Sequence, residues 1–205
     1  RVLLLPCLGG FAEAQFPRAV WESLEDKVSL IRVDYPGHGA RAGEPLLSSM
    51  AALADFVWRE HVVGAESTSA GQPWAVVGHS MGAVIAYEVA RRAQSASWRA
   101  PVAVILAAAW PPQGYGEYAA EFWSRDALED DDALVRRMID IGGVDSEAVQ
   151  ESEIQRLLLP IWRADLAAEL GYTHSDEPRL GSATKLRVLA AAEDRTISPA
   201  AVKLW

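Results

Sequence analysis

The chain has 205 residues, half of them hydrophobic and 23% charged, which is enough for one globular domain with a sizeable core. The formal net charge of −9, with no basic tract, argues against nucleic acid or an anionic membrane as a partner. Cys7 is the only cysteine, which excludes an internal disulfide and favours a reducing compartment. We expect a cytoplasmic protein on this ground, and we also expect a monomer with no metal and no cofactor of its own.

Short apolar runs alternate with helical stretches, which is the pattern of a parallel sheet flanked by helices. The apolar runs predict strands at Val2–Leu5, Val28–Val33, Trp74–Val77, Pro101–Ala108 and Leu186–Ala191. Helices are predicted at Phe16–Leu24, from Ser48 or Ser49 to about Val62, and at Ala83–Arg92. The fold class is α/β, and residues 1–205 are expected to form a single domain.

Two loops follow the first two strands. Pro6–Gly10 ends in a glycine pair that can turn backbone N–H groups toward a ligand, so Leu8 is the candidate donor to an oxyanion. A plain strand-to-helix turn is the alternative. In the next loop, His38 is interpreted as a local hydrogen-bonding residue rather than a catalytic base. His61, at the end of the helix that follows, is interpreted as a solvated residue.

The pentapeptide Gly78–Gly82 has the form G-x-S-x-G and stands between a predicted strand and a predicted helix. That context predicts a nucleophile elbow, in which Ser80 lies on a sharp turn at a helix N-terminus. The helix dipole and the N–H group of Met81 can then stabilise an oxyanion on a bound carbonyl group. A chance G-x-S-x-G is the alternative.

Residues 115–175 contain helical stretches and no convincing strand. The stretches are Ala119–Trp123, Asp131–Ile139, Ser146–Gln150 and Glu153–Leu170. A helical insertion between two strands of a hydrolase-like sheet is typical of a lid. Phe122, Trp123 and Trp162 are the candidate residues for lining an apolar substrate channel, and helix packing alone is the alternative.

Asp194 follows the last predicted strand, where α/β hydrolases place the acid of a catalytic triad. Glu193 is the competing carboxylate, and a surface turn with no catalytic residue is the third possibility. The expected order is serine, acid, histidine, yet no histidine follows Asp194. His174 precedes the acid and does not fit this order.

Four segments together resemble the type II thioesterases, the discrete editing hydrolases of polyketide and nonribosomal peptide synthases. They are LLLPCLGG at 3–10, VDYPGHGAR at 33–41, WAVVGHSMGAVIAYEVARR at 74–92 and LLLPIWRADLAAELGYTH at 157–174. The resemblance implies an α/β-hydrolase fold with a helical lid, Ser80 as nucleophile, Asp194 as acid, and Met81 and Leu8 N–H as the oxyanion hole. It also implies an acyl or peptidyl carrier protein as partner, with phosphopantetheine carried by the substrate.

The chain departs from this family at two points. Cys7–Leu8 replaces the family's usual Tyr-Ala before the glycine pair, and the histidine of the triad is missing. Typical element lengths place that histidine about 25 to 30 residues beyond Asp194. We therefore expect these 205 residues to be part of a longer protein, with no histidine among them bonded to Ser80.

Two other functions remain open on the sequence alone. An acyltransferase of the same fold would resemble G-H-S-x-G-E, but Ala83 stands at the glutamate position. A non-catalytic, hydrolase-like binding protein is favoured if no histidine completes the triad. Without the resemblance, the residues support an ester, thioester or amide hydrolase.

Overall fold

A parallel sheet forms the centre of the protein in the computed structural model, which describes residues 1–64, 71–123, 125–176, 179–194 and 196–205. Within those residues the sheet has five strands in the order β2-β1-β3-β4-β5. The strands are β1 (Val2–Leu5), β2 (Leu30–Arg32), β3 (Ala75–His79), β4 (Ala103–Ala107) and β5 (Lys185–Leu189). The α/β prediction is confirmed.

Helices lie between the strands and cover the sheet. They are α1 (Ala12–Gln15), α2 (Arg18–Glu25), α3 (Met50–Val57), α4 (Met81–Ser95), α5 (Tyr115–Trp123), α6 (Asp131–Asp140), α7 (Ser152–Leu170) and α8 (Pro199–Val202). Short 3-10 segments occur at Gly39–Arg41, Arg125–Leu128 and Ala148–Gln150, and a π-helix occurs at Trp58–Val63. None of the described helices is both long and apolar enough to cross a membrane.

Strand β1 is buried at successive positions, whereas β3 and β4 alternate between buried and half-buried residues. No residue of these three strands is exposed, which explains why their sequences are continuously apolar. Leu3, Leu4 and Leu5 of β1 are fully buried. In the sheet register, Gly78 of β3 pairs with Leu5 of β1, and His79 pairs with Ala107 of β4. The carboxyl ends of three adjacent strands therefore meet directly below the loops that carry the predicted site residues.

Two helices in the first half differ from the prediction for backbone reasons. The helix predicted from Phe16 begins at Arg18, because Pro17 has extended backbone (ψ 139°) and separates α2 from α1. The helix predicted to run to about Val62 changes from α to π at Trp58, and Gly64 N–H bonds to the carbonyl five residues earlier. Hydrophobic periodicity indicated both helices but not these changes in hydrogen bonding.

The segment predicted as a lid contains α5, α6 and α7, all between β4 and β5. Helix α6 begins where the acidic run predicted it, since the Asp130 carboxylate accepts a hydrogen bond from Ala133 N–H at 3.1 Å. The predicted helix Ser146–Gln150 is a 3-10 segment at Ala148–Gln150. Helix α5 packs against α7, and this pair carries the aromatic and acidic side chains described below.

Candidate active site

Ser80 lies on the sharp turn between β3 and α4. Its backbone has φ 54° and ψ −121°, a conformation that non-glycine residues seldom adopt and that costs about 1–3 kcal/mol. The turn is held on both sides: Ser80 N–H donates to the Ala107 carbonyl at 2.8 Å, and the Ser80 carbonyl accepts from Ala83 N–H at 2.9 Å. The backbone therefore has the strained strand-to-helix turn that the elbow prediction requires.

The two glycines of G-x-S-x-G are required by close backbone contacts on either side of this turn. A Cβ atom at Gly78 would lie 2.1 Å from the Gly82 carbonyl oxygen, and one at Gly82 would lie 2.4 Å from the Leu5 carbonyl oxygen. No side chain fits at either position without moving the backbone. The motif thus packs the start of α4 directly against β3 and β1.

Ser80 lines a cavity of about 250 Å³ bounded by residues that follow β1, β3, β4 and β5. The predicted site residues Leu8, Phe122, Trp123 and Asp194 line the same cavity. They come from distant parts of the chain, and the sheet topology brings them to one edge, as expected for a parallel α/β sheet.

Trp162, the third residue predicted for the substrate channel, lies elsewhere. It is not among the residues lining this cavity, and its side chain is 1% exposed. Its indole ring packs against the backbone of Gly9, where an added Cβ would lie 2.4 Å from Trp162 Cδ1. Trp162 faces the protein core on α7, so the helix-packing alternative applies to it.

The two backbone N–H groups predicted to bind an oxyanion belong to Leu8, which lines the cavity, and to Met81, which is fully buried and does not line it. Met81 is the first residue of α4, and Leu8 lies in the loop after β1. Within the described part of the chain, neither N–H group has a hydrogen-bond partner, and no side chain caps the helix. Unpaired donors at a helix N-terminus carry positive partial charge, which suits a developing negative oxygen.

Asp194 lines the cavity from a turn after β5. Its Oδ1 atom accepts hydrogen bonds from the N–H groups of Thr196 at 2.7 Å and Ile197 at 2.9 Å, which fixes the carboxylate. Arg195 lies outside the described residues. Glu193, the competing carboxylate, is exposed and does not line the cavity.

No histidine of the described residues is hydrogen-bonded to the Ser80 hydroxyl, as predicted. His38 is fully buried and contacts Asp165 on α7 through Nε2, so its partner lies far along the chain rather than in the local turn alone. His174 lies 3.4 Å from the Tyr172 hydroxyl, on the lid side. Both rings are therefore engaged away from Ser80.

The other two histidines also differ from the sequence interpretation. His61 is not solvated: its Nε2 atom is buried without a partner in the described structure, its ring contacts Phe56 edge-on, and burial lowers its pKa. His79, which the sequence did not single out, lines the cavity, and its Nδ1 atom bonds to Gln15. Burial lowers the pKa of His79, while the charge of Asp194 acts in the opposite direction.

Glu169 on α7 is the acidic cavity residue that sequence reasoning missed. It is 2% exposed, and its two oxygens accept hydrogen bonds from Tyr115 Oη at 3.0 Å and Trp123 Nε1 at 2.7 Å. Burial raises its pKa to about 7. A carboxylate four residues after Asp165, within an otherwise apolar stretch, was the available signal.

Cys7 is the other potential nucleophile in the cavity. Burial raises the pKa of its thiol to about 11, so the reactive thiolate is scarce near neutral pH. No group of three or more His, Cys, Asp or Glu side chains among the described residues is arranged to hold a metal ion. The chemistry that this arrangement can perform is attack by a serine hydroxyl on an acyl carbon.

The sequence matches a known protein family along almost its whole length. The sequence profile of the Thioesterase domain matches residues 1–201. The chain belongs to the thioesterase family. The thioesterase PikA5 of Streptomyces venezuelae is 31% identical over 204 residues, a match that covers 95% of this chain and 64% of PikA5. This chain thus spans less than two thirds of that relative's length.

Solved thioesterase structures share the fold along the whole chain. RedJ, a thioesterase from the prodiginine biosynthetic pathway in Streptomyces coelicolor, superposes with a TM-score of 0.83 at 29% identity, covering 100% of this chain and 72% of RedJ. BorB, the type II thioesterase from the borrelidin biosynthetic cluster, gives a TM-score of 0.78 at 27% identity, covering 100% of this chain and 77% of BorB. The predicted α/β-hydrolase fold and the resemblance to type II thioesterases are confirmed.

Proposed function

We propose that this protein is a serine thioesterase that hydrolyses acyl groups from the phosphopantetheine arms of carrier proteins, and so removes wrong or stalled acyl groups from a polyketide or nonribosomal peptide assembly line. The observation that carries the proposal is the strained turn at Ser80, which lines a cavity together with Asp194 and Leu8. The N–H groups of Leu8 and Met81 have no hydrogen-bond partner in the described structure. Family membership favours a thioester over an ester or amide substrate.

The reaction proceeds by two acyl transfers. Ser80 Oγ attacks the thioester carbonyl carbon as its proton passes to a general base, and the oxyanion is held by the N–H groups of Met81 and Leu8. The intermediate collapses, the carbon–sulfur bond breaks, and the base gives the proton to the leaving thiol. Water then attacks the acyl-serine in the same way, releasing the carboxylic acid and free Ser80.

Asp194 is proposed to orient a histidine base and stabilise its charged form. Its Oδ1 atom is already fixed by two backbone N–H groups, so the carboxylate is held rigidly at the cavity wall. His38, His61, His79 and His174 are each engaged with other groups or remote from Ser80, and the proposal assigns the base role to none of them.

Cavity size supports an acyl group on a carrier-bound arm as substrate. About 250 Å³ is smaller than the roughly 300–1,000 Å³ that typically encloses a drug-sized ligand. The space accepts an acyl group, while a phosphopantetheine arm would extend outward to its carrier protein. Aromatic side chains on α5, including Phe122 and Trp123, supply an apolar wall for that acyl group.

The test is hydrolysis of the acyl thioester on a defined carrier protein by the full-length protein. Mass spectrometry follows the release of the free carrier. Ser80→Ala should lower kcat by roughly 10⁶ while the melting temperature is retained. Ser95→Ala is the matched control, since Ser95 is the last residue of the same helix and its hydroxyl donates to the Arg91 carbonyl at 3.1 Å.

Three outcomes would count against the proposal. Retained hydrolysis in Ser80→Ala would remove Ser80 from the mechanism. Hydrolysis of simple oxygen esters, with no hydrolysis of the carrier-bound thioester, would indicate an esterase. Tight binding of the acyl carrier without turnover would indicate the non-catalytic binding protein.

A further inference from the structure

The loop after β1 is held by two side chains, one on each side of Leu8. Cys7 N–H donates to Gln15 Oε1 at 2.8 Å, and Gly9 N–H donates to Asp165 Oδ2 at 2.8 Å. Leu8 N–H, between them, has no partner in the described structure. The flanking bonds therefore hold the backbone on both sides of the Leu8 N–H group.

Helix α7 supplies the anchor on the Gly9 side through two residues. Asp165 and Trp162 are three positions apart, so both side chains project from one face of α7. Asp165 bonds to Gly9 N–H, and the Trp162 indole packs where a side chain at position 9 would be. Gly9 itself has φ +64°, which favours glycine. A lid helix thus shapes the loop that carries the candidate oxyanion donor.

Asp165 also pairs with His38 in the protein interior. Both side chains are fully buried, and His38 Nε2 lies 3.0 Å from the same Oδ2 atom that Gly9 N–H contacts. The second oxygen, Oδ1, is buried without a hydrogen-bond partner in the described structure. A buried carboxylate needs compensation, and here two donors converge on one oxygen.

The hydrogen bonds of His38 indicate that its ring is charged. Nδ1 lies 3.1 Å from the Pro36 carbonyl oxygen, which can only accept, so Nδ1 carries a proton. A neutral ring would then present a lone pair from Nε2 to the Asp165 carboxylate. Burial acts to lower the pKa of His38, but Asp165, the Pro36 carbonyl and the charge of Asp34 raise it, and the net direction is upward.

We propose that Asp165, paired with charged His38, is a positioning residue for the oxyanion hole: it holds Gly9 so that Leu8 N–H faces the substrate oxygen. The inference rests on the proposed function, because it assigns a purpose to the Leu8 donor. It also makes α7 part of the catalytic machinery rather than only a cover over the cavity. Neither residue touches the substrate.

Asp165→Asn is the decisive variant because one oxygen serves two donors. If the asparagine oxygen takes the place of Oδ2, it can accept from Gly9 N–H, but it can accept from His38 Nε2 only while that ring stays charged. If the asparagine NH₂ takes that place, it meets the Gly9 N–H group donor to donor. We expect kcat to fall by about 10²–10³, the loss typical of one oxyanion donor, with KM changed little. His38→Gln keeps a neutral donor and should give a smaller loss of kcat.

Two further measurements distinguish a positioning role of Asp165 from a general loss of structure in the variant. Binding of an acyl trifluoromethyl ketone, which forms a tetrahedral adduct with serine, should weaken in proportion to kcat/KM, while binding of the amide analogue of the thioester should not. Amide hydrogen exchange should accelerate in the peptide spanning residues 6–10. Asp130→Asn is the matched control, because Asp130 also accepts a backbone N–H bond in the lid, but it is exposed and its bond is to Ala133 rather than to the loop after β1.

The outcomes distinguish the two proposals. An unchanged kcat, a change in KM alone, or equal loss of binding for ketone and amide would overturn the positioning role while Ser80→Ala still reports on the function. If Asp165→Asn does not fold, His38→Gln carries the same comparison. If the wild-type protein does not hydrolyse thioesters, amide hydrogen exchange in residues 6–10 still tests whether Asp165 and His38 hold the loop. Unchanged exchange in both variants would overturn that role.

Discussion

Glu169 should make the stability of this protein fall as the pH rises through neutrality. Its pKa is raised from 4.5 to about 7 because the side chain is buried, so the folded state holds a proton that the unfolded state has lost. The stabilisation is fully present below pH 4.5 and is lost as the pH passes about 7. A pKa change from 4.5 to about 7 corresponds to about 3 kcal/mol of the free energy of unfolding, of which about 2 kcal/mol is lost between pH 5.5 and 8.5.

Glu169→Gln removes this titration and keeps the shape of the side chain. We expect the free energy of unfolding of the variant, relative to wild type, to rise by about 2 kcal/mol from pH 5.5 to 8.5. Urea unfolding followed by tryptophan fluorescence measures the difference at each pH, and any constant offset from the altered hydrogen bonds cancels. Glu153→Gln, an exposed position on the same helix, should follow the wild-type profile. Parallel curves for Glu169→Gln and wild type would refute the reasoning.

Two further predictions concern packing around the site. Trp123→Ala should shift the acyl-chain profile toward longer chains, because Trp123 lines the cavity. Trp162→Ala should lower the free energy of unfolding by about 3–5 kcal/mol without that shift, because Trp162 is buried away from the cavity. A chain-length series with each variant's unfolding curve tests this pair, and the reverse pattern would contradict it. Gly78→Ala should abolish activity, since its Cβ would lie 2.1 Å from the Gly82 carbonyl oxygen. Full activity with an unchanged melting temperature would show that the turn tolerates a side chain.

The local signals in the sequence were sufficient for the sheet and the elbow. Continuous apolar strands indicated a parallel sheet, and G-x-S-x-G between a strand and a helix indicated the turn at Ser80. These features depend on neighbouring residues, so a single sequence carries them. The strand at Val2–Leu5 has the same limits in the structure as in the prediction.

Contacts between distant segments were not predictable in the same way. Asp165 meets His38 across 127 positions and Gly9 across 156, and no local pattern indicates either contact. Trp123 and Trp162 looked equivalent in the sequence, yet the packing of α5 against α7 puts only one of them at the cavity. Which face of a lid helix turns inward depends on its partners.

The most direct test of the account is to identify the residue that carries the acyl group during turnover. Mixing the protein as its gene encodes it with an acyl thioester, quenching in acid and mapping the peptides by mass spectrometry would show the site of acylation. The account predicts one adduct, on the peptide containing Ser80, and none in Ser80→Ala. Cys7 lines the same cavity, but its pKa, raised to about 11, keeps the thiol protonated. Acylation of Cys7 in place of Ser80 would contradict the central claim.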